Sequence, residues 1–96
     1  MKSASTPAAT VVLPYQLRDR CGGARQVVLE GANVRDLIDA LDQRWPGMKF
    51  SICSETGALR PFVNVFVGQE DIRYLAGLET PVAGETVHII HSVAGG

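Results

Sequence analysis

Apolar positions recur along this chain with two different periods, and the changes of period mark out its elements. Thr10-Val11-Val12-Leu13-Pro14-Tyr15-Gln16-Leu17 is rich in strand-forming residues. Pro14 has no N–H to give a ladder, so this run is predicted as an edge or bulged strand. Arg18 to Ala24 is turn material with Gly22-Gly23 inside it, and Arg25-Gln26-Val27-Val28-Leu29-Glu30 reads as a second strand. The chain therefore opens as a β-hairpin with a long loop. From Val34 the period lengthens: Val34, Leu37, Ile38, Leu41 and Trp45 fall on one stripe of a 3.6-residue helix, while Arg35, Asp39, Asp42 and Arg44 lie mostly on the other face. Asn33 is suited to cap this helix, Asp36 can reach back as in a capping box, and Pro46-Gly47 ends it.

Met48 to Arg60 has no clear period and reads as a long loop with room for a turn of helix. Pro61 to Val67 alternates again, with Val63, Val65 and Val67 on one face and Phe62, Asn64 and Phe66 on the other. Gly68 to Asp71 is predicted as a turn, Ile72 to Leu75 as a short strand or helical turn, and Gly77 to Val82 as an irregular connection. Thr86 to Ser92 is the last strand. The order is β-β-α-β-(β)-β, which predicts an α+β fold: a small mixed sheet of four to five strands with one main helix on one face. Residues 1–9 read as a flexible leader, 10–92 as the domain and 93–96 as an exposed tail.

Composition narrows the function classes. Ninety-six residues hold one core. Nine basic against ten acidic residues leave a net charge of −1, which argues against nucleic-acid or membrane binding through bulk electrostatics. No apolar run approaches the roughly 20 residues of a membrane span, and the first residues lack the apolar stretch of a secretory signal. Cys21 and Cys53 are far apart and without metal-ligand spacing, as expected of unpaired thiols in a cytoplasmic protein. His88 and His91 invite a metal reading, but positions i and i+3 of a strand point to opposite faces, so no metal site is expected there. Gly22-Gly23 precedes no helix and is not a phosphate loop.

The chemistry is sought at Val93-Ala94-Gly95-Gly96. Small residues and two glycines beyond a β-branched strand pack nothing, yet they present an unhindered backbone and carboxylate. Four extended residues reach roughly 13 Å, enough to enter a neighbour's cleft while the domain stays outside. The expected reactive group is the Gly96 α-carboxylate, with Gly95 beside it.

Four stretches carry a family resemblance. They are the helix run Gly31 to Ile38; Phe62 to Val67 with Glu70-Asp71-Ile72-Arg73; Leu78 to Val82 with Gly84 to Val87; and the terminal Gly95-Gly96. Together they resemble the ThiS/MoaD-type sulfur carriers, which share the β-grasp fold with ubiquitin, and most of all the carriers serving cysteine synthesis or secondary-metabolite sulfur transfer. His91 stands where many relatives have proline, and Gly68-Gln69 replaces the more usual Asn-Gly type of turn. The resemblance implies that the chain is a carrier and not an enzyme. An E1-like activating adenylyltransferase would adenylate Gly96 with ATP, a sulfur donor would displace AMP, and the thiocarboxylate would serve a sulfur-accepting synthase. No bound cofactor is implied, since ATP is used by the partner. Two alternatives keep the fold: a ubiquitin-like modifier joined to lysines through Gly96, and the small subunit of a molybdopterin-synthase-like complex.

Strand parity, and the likeness to ubiquitin's last strand, turn Val87 and Ile89 toward the core and leave His88 and Ile90 on the open sheet face. Phe66 is expected to share that face, so Phe66, His88 and Ile90, with Val93 and Ala94 of the tail, are the expected partner-binding residues. Phe62 is either part of this patch or covered by the 48–60 loop. Arg73 and Glu70-Asp71 either meet charges on the activating enzyme or form a solvated turn, and Trp45 is expected to pack.

Overall fold

The computed structural model describes residues 7–92. Its strands are β1 (Ala8–Val12), β2 (Gln26–Glu30), β3 (Val63–Val67), β4 (Glu70–Asp71) and β5 (Thr86–His91), and its helices are α1 (Tyr15–Arg18), α2 (Val34–Arg44) and α3 (Met48–Ile52). They form a five-stranded mixed sheet in the order β2-β1-β5-β3-β4. β1 and β5 run parallel in its middle, with Val11 beside Val87 and Val12 beside His88. Every other pair is antiparallel.

The hairpin forms as its turn residues dictate, because Gly22 and Gly23 take φ of 66° and 82°, which other residues adopt at a cost. β1 differs from the sequence reading. It starts at Ala8, inside the expected leader, ends at Val12, and lies in the sheet interior, not at an edge. Pro14 falls beyond the ladder, where its missing N–H costs nothing; its extended backbone, ψ 151°, leads into α1.

α2 forms where its stripe predicted, with Val34, Leu37, Ile38 and Leu41 all 3% exposed or less. Asn33 Oδ1 accepts from Asp36 N–H at 2.9 Å. Asp36 Oδ2 accepts in return from Ala32 N–H at 3.0 Å, so the reciprocal cap closes one residue earlier than in a Glu capping box. After Pro46, Gly47 reverses the chain at φ 100° and α3 follows. The 48–60 stretch is thus more ordered than its sequence suggested. Met48 and Ile52, one turn apart, are fully buried, and Cys53 bridges to Leu59. Glu70–Asp71, expected as part of a turn, pairs with Val67 and Phe66 across Gly68-Gln69. Residues 72–74 are the helical turn of the two forms expected.

The core lies between α2 and one sheet face, where Val11, Val27, Leu29, Val63, Val65, Val87 and Ile89 meet the helix stripe. No helix covers the opposite, open face among the described residues: α2 contacts β2, α3 and the turn at 77–79.

Candidate functional site

The candidate site is the C-terminal end of β5 and the open face around it. Val93, Ala94, Gly95 and Gly96 lie outside the described residues, so the site is built from what leads up to them. β5 is held on both sides: β1 pairs with Thr86 to His88, and β3 pairs with Val87 to His91. The ladder continues one step further, where Ser92 N–H donates to Phe62 O at 2.8 Å. Gln16 Nε2 donates to His91 O at 3.2 Å from the start of α1. The backbone leading to Val93 is therefore anchored from two directions through Ser92.

Side chains alternate along β5 as its parity requires. Val87 and Ile89 are 2% and 3% exposed and belong to the core. His88 is half-buried and Ile90 is 43% exposed, both on the open face. Phe66 stands directly across from His88, and Asn64 across from Ile90. The register extends the His88 row to Val12 on one side and Asp71 on the other, so Val12, His88, Phe66 and Asp71 cross four strands in line. Apolar and imidazole groups thus line the open face leading to the tail, with His88, paired to Phe66, four residues and Ile90 two residues before Ser92 along the chain, without a covering layer among the described residues. Their geometry suits docking of a partner with a complementary apolar surface.

Phe62 does not join that face. It packs partly buried against the core, with its ring edge-on to His91 at 4.8 Å between centroids. His91 faces the helix side at β5's end, so the two imidazoles lie on opposite sides of the sheet and cannot share one ion. No group of three or more His, Cys, Asp or Glu able to hold a metal occurs among the described residues.

Asp71 is occupied structurally: its Oδ1 accepts from Arg73 N–H at 2.8 Å and starts the turn at 72–74. The Arg73 guanidinium donates to Val63 O at 3.2 Å and to Asn64 Oδ1, which fixes a cation beside Ile90's cross-strand neighbour. Trp45 packs against the core with the Arg44 guanidinium 4.6 Å from its ring. Gln16 and Val12 are the site residues that sequence reasoning missed. The signal available for Gln16 was Pro14, which turns the chain out of the ladder.

Away from this site, burial pushes the Cys21 and Cys53 thiols up from their ordinary pKa, only partly offset by nearby cations, Arg20 first for Cys21 and Lys49 for Cys53. Cys21 Sγ donates to Met48 Sδ at 3.8 Å. A cleft of about 500 Å³ opens on the helix side, lined by Lys49, Phe50, Cys53 and residues 54–57. It includes no residue of β5. Lys49 there is bonded to Asp39 at 2.9 Å, and that bond is the main cause of its raised pKa.

No helix among the described residues is long and apolar enough to cross a membrane. The ThiS family model matches residues 11–96. The sulfur carrier protein CysO of Mycobacterium tuberculosis is 37% identical over 90 residues, covering 91% of this chain and 97% of that one. The structure is similar to the crystal structure of the Amycolatopsis orientalis BexX/CysO complex, at TM-score 0.84 and 40% identity, covering 92% of this chain and 99% of that one. It is also similar to the solution structure of small archaeal modifier protein 1 from Methanosarcina acetivorans, at TM-score 0.82 and 26% identity, covering 97% and 100%. The mixed sheet with its helix on one face is the ubiquitin-like β-grasp of these neighbours, and this chain belongs to the ThiS family.

Proposed function

We propose that the protein is a sulfur carrier whose active form ends at Gly96 and bears the sulfur as a terminal thiocarboxylate. The supporting observation is the anchoring of β5. Paired on both sides and bonded through Ser92 to Phe62 O, it delivers the chain at a fixed point of the sheet's end, following the open-face residues His88 and Ile90 and their neighbour Phe66. Four residues beyond Ser92 reach roughly 13 Å when extended, so Gly96 can enter an active site that the domain cannot.

The chemistry belongs mostly to partners. A carboxylate resists attack until an oxygen becomes a good leaving group. In this reading an E1-like enzyme lets the Gly96 carboxylate displace pyrophosphate from ATP, forming an acyl-adenylate. A sulfide-level donor then displaces AMP, forming the C–S bond and breaking the C–O bond. The resulting thiocarboxylate hands its sulfur to a synthase. ATP is a substrate of the activating enzyme, and this chain contributes no acid, base or metal. Its part is positioning, with the Phe66–His88–Ile90 patch as the docking surface and Val93, Ala94 and Gly95 as the thin lead. The family resemblance implies cysteine, cofactor or secondary-metabolite synthesis as the use of the sulfur, in the cytoplasm.

Intact mass spectrometry tests this. The chain ending at Gly96 is incubated with an activating enzyme of the family, ATP, magnesium and sulfide. One oxygen is expected to be exchanged for sulfur, and deletion of Gly96 is expected to abolish the exchange. An unchanged mass in the presence of an enzyme that charges another family member would refute it. A second reading, conjugation through Gly96 to lysines, draws on the 26% identity to a small archaeal modifier protein. It requires the same adenylate but predicts adducts of this chain on other proteins.

A further inference from the structure

The two edges of the sheet are finished differently. Beyond the two-residue β4, the free edge of β3 is closed at Val63, whose N–H donates to Arg60 O at 3.0 Å and whose C=O accepts from Arg73 at 3.2 Å. Irregular chain and a charged side chain on an edge block strand addition. β2 has no such cover among the described residues. In an antiparallel ladder, alternate residues turn both N–H and C=O toward one neighbour, and those between turn theirs away. Leu13 N–H donates to Arg25 O, and Gly31 N–H to Pro7 O. Extending the β1–β2 register, these bonds set the odd-numbered residues of β2 toward β1. Gln26, Val28 and Glu30 therefore turn their N–H and C=O groups outward, and none of these has a partner among the described residues. Their side chains stand on the open face, with Val28 65% exposed.

We propose that this edge pairs with a second copy of the chain, β2 against β2, antiparallel about a two-fold axis through Val28 and perpendicular to the sheet. The hydrogen-bonding pattern admits registers that set even-numbered residues opposite each other. The axis at Val28 is the one that pairs all three outward residues within β2; axes at Val27 or Leu29 set Glu30 or Gln26 opposite residues outside the strand. With the axis at Val28, Val28 faces Val28 of the second copy and Gln26 faces its Glu30, so every outward N–H meets an outward C=O. An axis at Glu30 would set two carboxylates face to face, and one at Gln26 would leave Glu30 unpaired. A one-residue slip would oppose side chains of different faces.

Charge complementarity supports the same register. It places Arg25 opposite Gly31 of the second copy. Gly31 has no side chain, and Asp36 fills that space, its Cβ 2.7 Å from where a Gly31 Cβ would stand. An exposed guanidinium thus stands opposite Asp36, whose exposed carboxylate also caps Ala32 N–H, at each end of the interface on the helix side. Gln26 meets Glu30 on the open side. The axis leaves both open faces on one side of the joined sheet and sends the two β5 strands in opposite directions. The patch around His88 and the end of β5 stay uncovered in each copy.

Sedimentation equilibrium of the full chain from micromolar to millimolar concentration, with amide NMR shifts over the same range, tests the pairing. A monomer–dimer equilibrium is expected, with concentration-dependent shifts at Gln26, Val28 and Glu30. Val28→Lys at this exposed position sets two ammonium groups against each other and is expected to weaken the dimer by about tenfold. Gln26→Lys faces Glu30 twice per dimer and is expected to tighten it roughly fivefold. A chain that stays monomeric at millimolar concentration overturns the proposal. So does a dimer indifferent to both substitutions.

Discussion

The His91 ring meets Phe62 edge-on, with centroids 4.8 Å apart and planes at 63°, where β5 leaves the sheet. Its Nδ1 is buried and has no hydrogen-bond partner among the described residues. Two effects oppose each other here. An edge-to-face aromatic pair stabilises by about 0.5–1.5 kcal/mol, while an unpaired buried polar atom costs about 1–3 kcal/mol. His91→Phe keeps the ring contact and removes the nitrogen, so it is expected to raise the free energy of unfolding by about 1 kcal/mol. His91→Ala loses the ring contact together with the nitrogen, so the two effects offset and it is expected to fall about 1 kcal/mol below His91→Phe. Urea denaturation of the three proteins measures both, and a destabilised His91→Phe would mean the nitrogen is satisfied in solution.

Gly31 sets how closely β2 approaches the start of α2. A Cβ there would stand 2.7 Å from Asp36 Cβ and 3.1 Å from Leu37 Cδ2. Both neighbours are fixed, Asp36 by its capping bonds and Leu37 by burial. Gly31→Ala is expected to destabilise by about 1–3 kcal/mol through overpacking, read from the shift in thermal midpoint. A neutral result would show that α2 can slide along the sheet.

These two sites show what the sequence conveyed and what it did not. Five apolar positions at helical spacing defined α2, and valine alternation defined β3, because each pattern is local and long enough to repeat. α3 offered only the single pair Met48 and Ile52, too short for a period to stand out. Pro14 signalled a missing ladder donor but not whether the strand continued past it; the strand stops two residues earlier. Parity, with the likeness to ubiquitin's last strand to say which face is inward, placed His88 and Ile90 on the open face. The Phe66–His88 pairing also required the register between β3 and β5, which depends on where the 68–85 connection returns. Pro14 signalled a break in the ladder near Gln16, but the Gln16 bond to His91 joins residues 75 apart in sequence, and no local pattern names that partner.

The thiols give a pH dependence. Burial raises both Cys21 and Cys53 from the ordinary value of 9.0, so the folded protein favours their protonated forms. Unfolding exposes them and lets them ionise at the ordinary value. Their contribution to stability is therefore complete below that pH and is lost as pH rises through and beyond it. Unfolding free energy is expected to fall at alkaline pH, and less steeply in a Cys21→Ala, Cys53→Ala double variant. At neutral pH both thiols are expected to react with a soluble disulfide reagent far more slowly in the native protein than in urea. Fast native labelling would place a thiol at the surface.

The open-face patch can be separated from the tail by kinetics. If Phe66, His88 and Ile90 dock the activating enzyme, weakening them lowers complex formation without altering the Gly96 carboxylate. Ile90→Lys, at a position 43% exposed, is expected to raise KM for the carrier roughly tenfold with kcat nearly unchanged. Its stability is expected to stay within about 0.5 kcal/mol of the parent. Phe66→Ala is expected to act in the same direction, with some loss of stability because Phe66 is half-buried. Val28→Thr, on the same face but at the far edge of the sheet, serves as the control and is expected to leave KM unchanged. Pyrophosphate release by the activating enzyme, measured over a range of carrier concentrations, gives both parameters. An unchanged KM for Ile90→Lys and Phe66→Ala would move the docking surface off the sheet. A fall in kcat at constant KM would instead mean that these side chains help place the tail once the complex has formed.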